Sequence, residues 1–157
     1  MPHLHEKIDF TSTTYIVYNN KVLLHLHKKL KFWLGVGGHI ELDEEPNQAA
    51  IREAREESGL DIKLLDHEPN RKHLADYGKH RTLIPPRYMN IHSVTDTHEH
   101  IDNVYFATST TDAVIPEDET MILKWFTEEE LHDPQYKLPE KIIFYCKEAL
   151  KAASTRE

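Results

Sequence analysis

The sequence predicts an α/β protein in which a mixed β-sheet is flanked by helices, a three-layer α/β/α sandwich. Three observations carry that expectation. Thr13-Thr14-Tyr15-Ile16-Val17-Tyr18 is rich in β-branched and aromatic residues, and Asn19-Asn20 separates it from an alternating run over Lys21–His27, so the two runs read as a hairpin. A helical segment follows, with Pro46 suited to its first turn and Gly59 to its C-terminal cap. Strand-like runs then return before a second helical segment.

The remaining elements are expected in this order. Gly35, Gly37 and Gly38 punctuate the chain ahead of the first helix, and Asp61–Leu65 reads as a strand leaving it. Residues 66–87 form a long polar connection carrying Pro69, Gly78 and Pro85-Pro86, read as a large variable loop. Strands are expected over Tyr88–Val94, Ile101–Ala107 and Ile122–Phe126, and a helix over Pro139–Ala153. With 157 residues, no repeats and no low-complexity linker, 1–157 reads as a single domain.

Composition narrows the function classes. An apolar fraction of 39% with 29% charged residues fits a globular chain, and no apolar run reaches the roughly 18 to 20 residues of a membrane helix. Met1–Lys7 has no apolar core or small-residue cleavage site, so it does not read as a secretory signal. The one cysteine, Cys146, excludes an internal disulfide and a cysteine-based zinc site. A cytoplasmic location is therefore expected. The net charge of -8 argues against broad nucleic-acid binding, and for an enzyme acting on phosphates it calls for a mediating cation.

The chemistry concentrates between Gly38 and Leu60. At about 100° per residue, Glu53, Glu56 and Glu57 share one helical face, where their like charges repel. Arg52 can pair with Glu56 at i+4, and a hard cation such as Mg²⁺ would relieve the rest. A run such as Arg-Glu-Ala-Arg-Glu-Glu is also a common solvated helix surface, so the hexapeptide alone decides nothing. The longer spacing does: Gly38, Glu44, Arg52, Glu53, Glu56, Glu57 and Gly59 fill every fixed position of G-x5-E-x7-R-E-U-x-E-E-x-G-U, with Ala54 and Leu60 at its aliphatic positions.

This stretch matches the Nudix box, and the chain resembles a MutT-like Nudix hydrolase from about Thr13 to Leu150. The Trp125–Leu131 stretch and the C-terminal helix fit the same frame. One departure stands beside the box, where members often carry proline and this chain has Val36. The resemblance implies a pyrophosphohydrolase that cleaves a phosphoanhydride bond in a nucleoside diphosphate linked to another moiety. It implies Mg²⁺ or Mn²⁺, one to three ions, held by Glu53, Glu56, Glu57 and the Gly38 carbonyl. Arg52 would orient a catalytic glutamate, Glu44 would stabilise the box loop, and Glu53 would position or deprotonate the attacking water.

Some relatives add a carboxylate from outside the box. Glu119, six residues before Trp125, is similarly placed and is taken as that ligand, with Glu117 and Asp118 as competitors; all three also suit a solvated loop. His98 and His100 share a strand face and resemble a transition-metal pair. With no third histidine in view, an ordinary polar face is the reading preferred there, and likewise for His25 and His27. On the substrate side the candidates are His39, which suits loop packing equally well, with Tyr77, Arg81 and Arg87 in the 66–87 loop. That loop is a basic island in an acidic chain. Phe32, Trp33 and Tyr88 read more readily as core than as base-stacking residues.

The expected partner is a small nucleotide-like phosphoanhydride, with no membrane, and a homodimer is open because many relatives are dimers. The rival reading is a Nudix-fold module that binds nucleotides without cleaving them, against which the complete set of box glutamates argues. An isopentenyl diphosphate isomerase-like reading needs a catalytic cysteine, and Cys146 lies in the expected C-terminal helix.

Overall fold

A computed structural model describes residues 7–68 and 78–155. Eight strands form one mixed sheet: β1 (Ile8–Tyr18), β2 (Lys21–Leu26), β3 (Trp33–Leu34), β4 (Val36–His39), β5 (Ile62–Leu64), β6 (Tyr88–Thr95), β7 (His98–Ser109) and β8 (Ile122–Thr127). Helix α1 (Pro46–Ser58) follows β4, and α2 (Glu140–Ser154) follows a 3-10 turn at Glu130–His132.

β1 organises the sheet. It pairs in parallel with β7 from Ile8↔Glu99 to Val17↔Thr108. On its other side it pairs antiparallel with β4 over Thr11–Thr14 and with β2 next to the hairpin turn. Asn19 and Asn20 both take positive φ, 49° and 59°, the left-handed pair that a two-residue hairpin requires. β8 extends the sheet beyond β2, while β5 and β6 pair with opposite ends of β7.

Strand pleating sends alternate side chains to opposite faces, and both faces here are covered. Tyr15, Val17, Val22, Leu24, Val104, Phe106 and Phe126 pack with Ile142, Tyr145, Cys146 and Ala149 of α2. Ile16, Leu23, Val36, Tyr105 and Ala107 pack with Ala50 and Ala54 of α1 and with Leu60. Trp33 and Tyr88 belong to the α2-side core, Trp33 meeting Phe126 at 5.1 Å between ring centroids. Val36, at the departure from the family pattern, starts β4 and is fully buried.

The helix boundaries follow from local chemistry. Glu45 accepts from the Asn47 N–H at 2.6 Å and Gln48 accepts from the Glu45 N–H at 3.1 Å, a reciprocal cap, with Pro46 at the first helical position. At the other end Gly59 takes φ 70° and donates its N–H to the Arg55 carbonyl. A Cβ there would stand 2.9 Å from the Ile115 side chain, so space and backbone both require glycine. The strands of the second half extend slightly past the expected ends, and the short β3 and β4 were hidden by the glycines around them. Among the described residues no helix is long and apolar enough to cross a membrane.

Candidate active site

α1 presents Glu53 and Glu57 toward β4, and a single guanidinium ties Glu53 to Glu44 and Glu56. Arg52 donates through Nε and Nη2 to the two oxygens of Glu44 at 3.0 and 2.6 Å, a bidentate pair. Its Nη1 reaches Glu53 at 2.8 Å and Glu56 at 2.9 Å, and Nη2 also donates to the His39 carbonyl at 3.0 Å. The Glu44 side chain accepts from the Glu41 N–H at 2.9 Å as well. Glu44 is thereby committed to closing the loop between β4 and α1, and Arg52 fixes the direction of Glu53.

The glycines of β4 explain how the carboxylates approach the strand so closely. A Cβ on Gly38 would come within 2.9 Å of both Glu53 carboxylate oxygens, so the carboxylate occupies space that any other residue would fill. Gly37 donates its N–H to Glu57 at 2.8 Å. Burial pushes the Glu57 carboxyl up to about 8; the Gly37 bond opposes this, while the charges of Glu53, Glu117 and Glu56 add to it. Burial also raises Glu53, against the pull of Arg52. Glu44 moves the other way, lowered by its bond to Arg52.

The candidate carboxylates outside the box lie on the chain after β7. Ile115 donates its N–H to the Ser58 carbonyl at 2.8 Å, which anchors that chain to the end of α1. Two residues on, Glu117 is the acid of this segment whose charge reaches Glu57. Asp118 turns to Lys28 at 2.8 Å and to Thr120. Glu119 is exposed.

The substrate-side candidates are dispersed. His39 directs its ring to His100 (3.3 Å) and Asp9 (3.5 Å), while its carbonyl holds Arg52. Arg81 is exposed, Arg87 lies over the Tyr88 ring at 5.6 Å, and Tyr77 lies outside the described residues. The end of the 66–87 connection is clamped to the start of α1, where Asn47 and Ile84 exchange two hydrogen bonds at 2.7 and 2.9 Å. The histidine pair at His98 and His100 acquires the partners that the sequence did not reveal: Asp9 lies 3.1 Å from His98, and His39 meets His100.

A NUDIX domain model matches residues 10–146. The chain belongs to the NUDIX family. It is similar to a NUDIX-family hydrolase from Clostridium perfringens, with 41% identity, 96% of this chain and 99% of that one covered, and a TM-score of 0.84. A NUDIX hydrolase from Nitrosomonas europaea (17% identity, 94% and 90% covered, TM-score 0.63) and a MutT NUDIX hydrolase from Burkholderia pseudomallei (18%, 90% and 98%, 0.62) share the fold. The α/β/α sandwich expected from the sequence is the Nudix fold, and the chain is a Nudix-type pyrophosphohydrolase.

The Nudix box fits a hard divalent cation on its own chemistry. Its donors are carboxylate oxygens, one guanidinium serves Glu44, Glu53 and Glu56 together, and Glu57 is driven toward its protonated form by burial and its acidic neighbours. Crowded carboxylates of this kind are the oxygen-rich environment Mg²⁺ takes.

Proposed function

We propose that this Nudix protein hydrolyses a phosphoanhydride bond in a nucleoside diphosphate linked to another moiety, using Mg²⁺ or Mn²⁺. The observation that carries the reading is the seating of Glu53 and Glu57 on the glycine strand at Gly37–Gly38, with Arg52 linking Glu53 to Glu56. Glu53, Glu56, Glu57 and the Gly38 carbonyl would hold the cation. When bound, it would neutralise phosphate charge and lower the pKa of a water.

The chain's own residues do the rest. Glu53 accepts the proton of the attacking water, and Arg52 keeps that carboxylate aligned by direct hydrogen bonding. The Gly37 N–H fixes Glu57, and the Glu44–Arg52 pair holds the loop that ends at the box helix. The acidic segment after β7 adds a carboxylate; its charge on Glu57 favours Glu117 over Glu119 for that place. Arg81, Arg87 and Tyr77 are assigned to the phosphate and base of the substrate. The His39 ring, facing Asp9 and His100, supports packing rather than phosphate contact for that residue. The reading is completed by a cytoplasmic location, with a homodimer as an option.

The test is a hydrolysis panel of nucleoside triphosphates, oxidised nucleotides, nucleotide sugars, ADP-ribose and dinucleoside polyphosphates with Mg²⁺ or Mn²⁺. Turnover of at least one class, abolished by chelation, is the expected result. A folded, metal-loaded protein inert on the whole panel would instead make it a nucleotide-binding module.

A further inference from the structure

β4 ends on Gly38 and His39, and the pleat sends these neighbours to opposite faces of the sheet. Gly38 is in register with Ser12, and Glu53 of α1 sits over it. His39 is in register with Thr11, on the face that carries Tyr15 and Val17 toward α2. Asp9 shares that face with Thr11, His100 lies directly opposite Asp9, and His98 precedes it by two residues. Four donors from three strands therefore meet on the side away from the box carboxylates.

Three of them are spaced as ligands around one ion, and His39 adjoins two of these. Ligand atoms of Asp9, His98 and His100 all lie within 4.8 Å of one another. Asp9 Oδ2 stands 3.1 Å from His98 Nε2 and 3.5 Å from His39 Nε2, and the Nε2 atoms of His39 and His100 are 3.3 Å apart. Tetrahedral zinc with bonds of about 2.0 to 2.2 Å separates neighbouring ligand atoms by roughly 3.3 to 3.6 Å. Asp9 and His98 are buried, at 2% and 7% exposure. Asp102, the other buried carboxylate of this face, differs: it accepts the hydroxyls of Thr11 and Thr13 at 2.8 Å each, ordinary hydrogen bonding. Asp9 is met by imidazole nitrogens, and imidazole with one carboxylate is a donor set for borderline transition metals rather than Mg²⁺.

We propose that Asp9, His98 and His100, completed by His39, form a second metal site for a borderline divalent cation such as Zn²⁺, separate from the Nudix-box carboxylates. The ion would tie β1, β4 and β7 together where β4 hands the chain to the box loop, making it a clamp on the strand that supports the catalytic glutamates. The proposal does not depend on the hydrolytic reading.

The test uses the full chain stripped with a chelator, titrated with Co²⁺ by visible spectroscopy and reloaded with Zn²⁺ for metal analysis. Expected are an intense tetrahedral d–d absorption that saturates at a single equivalent, its displacement by Zn²⁺, and its persistence in a Glu53→Gln, Glu57→Gln double variant. His98→Asn and His100→Asn should each weaken the binding by more than about tenfold. Only weak octahedral absorption that disappears with the glutamates would overturn the proposal, as would Zn²⁺ saturation unchanged in both histidine variants. The wild-type spectrum decides even if a histidine variant fails to fold.

Discussion

The two faces of the sheet at the end of β4 solve different electrostatic problems with different donors. On the α1 face, carboxylates are crowded around one guanidinium, and burial drives Glu57 toward its neutral form. On the α2 face, three imidazoles crowd one carboxylate, and burial with the charges of His39, His92 and His98 lowers His100 to about 4, while Asp9 opposes the shift. Glu57 and His100 are thus each pushed toward their neutral forms, in opposite directions, and each cluster would be relieved by a cation of matching hardness. Adjacent residues of one strand thus serve two chemistries, kept apart by the pleat alone.

The largest expected effect tests that separation. Glu57→Gln should lower kcat/KM with Mg²⁺ by about a thousandfold, within the range for losing a group essential to proton transfer or its charge balance. It should leave the circular dichroism and the tetrahedral Co²⁺ signature of the opposite face in place. His98→Asn should do the reverse, losing that signature with at most about a tenfold change in rate, because it reaches the glutamates only through β4. Equal damage to both readouts from either variant would mean that the two faces act as one site.

The difference between the faces also explains what was legible in the sequence. Box chemistry is local: Arg52, Glu53, Glu56 and Glu57 lie on one helix, and their periodicity alone places them together. The hairpin, both helices and the principal strands were legible for the same reason, since turn residues, caps and alternation are short-range signals. The histidine cluster is non-local. Asp9 and His98 are 89 positions apart and meet only through the parallel register of β1 and β7. His98 and His100 are visible as a pair, but the third imidazole, His39, lies inside the box, where phosphate contact and loop packing are equally open from sequence. Glu117 and Glu119 could not be ranked by sequence, because the Ile115–Ser58 bond that aims the segment leaves no local mark.

Acid sensitivity of the fold needs to be separated from that of either site, and His25 supplies the control. It is buried, faces Leu34 on β3 and Leu123 on β8 across the sheet, and burial with the charge of His27 lowers it to about 4. A histidine depressed in the fold stabilises it fully above its ordinary value of 6.5, and that contribution is lost as the pH falls toward 4. The loss amounts to about 3 kcal/mol at most. His25→Leu should therefore flatten the decline of Tm between pH 6.5 and 4. An unchanged acid limb in thermal melts would move the sensitivity to the histidine face.

A smaller effect separates support from chemistry within β4 itself. A Cβ at Gly37 would stand 2.8 Å from the Thr13 Cα, backbone that cannot yield, whereas at Gly38 it would meet the end of the Glu53 side chain. Gly37→Ala should cost about 2 kcal/mol of stability through overpacking. Gly38→Ala should keep nearly the native Tm but lose about tenfold in kcat/KM, because a displacement near 1 Å at a catalytic group is costly. Thermal melts and rates on the two variants check the pair, and similar Tm losses in both would show that Glu53 is not seated on Gly38 in solution.

The smallest effect concerns the carboxylate outside the box. Glu117 is exposed, so its interaction with the box is screened and a single substitution removes little. Its charge nevertheless bears on Glu57, whereas neighbouring Asp118 is held by Lys28. Glu117→Gln should weaken Mg²⁺ activation by about threefold at low salt, less at high salt, since the loss is that of one partly screened charge. Glu119→Gln should leave both the metal dependence and the maximal rate as they are. The reverse ranking would place Glu119 in the metal site and show that the segment after Ile115 turns when the cation binds.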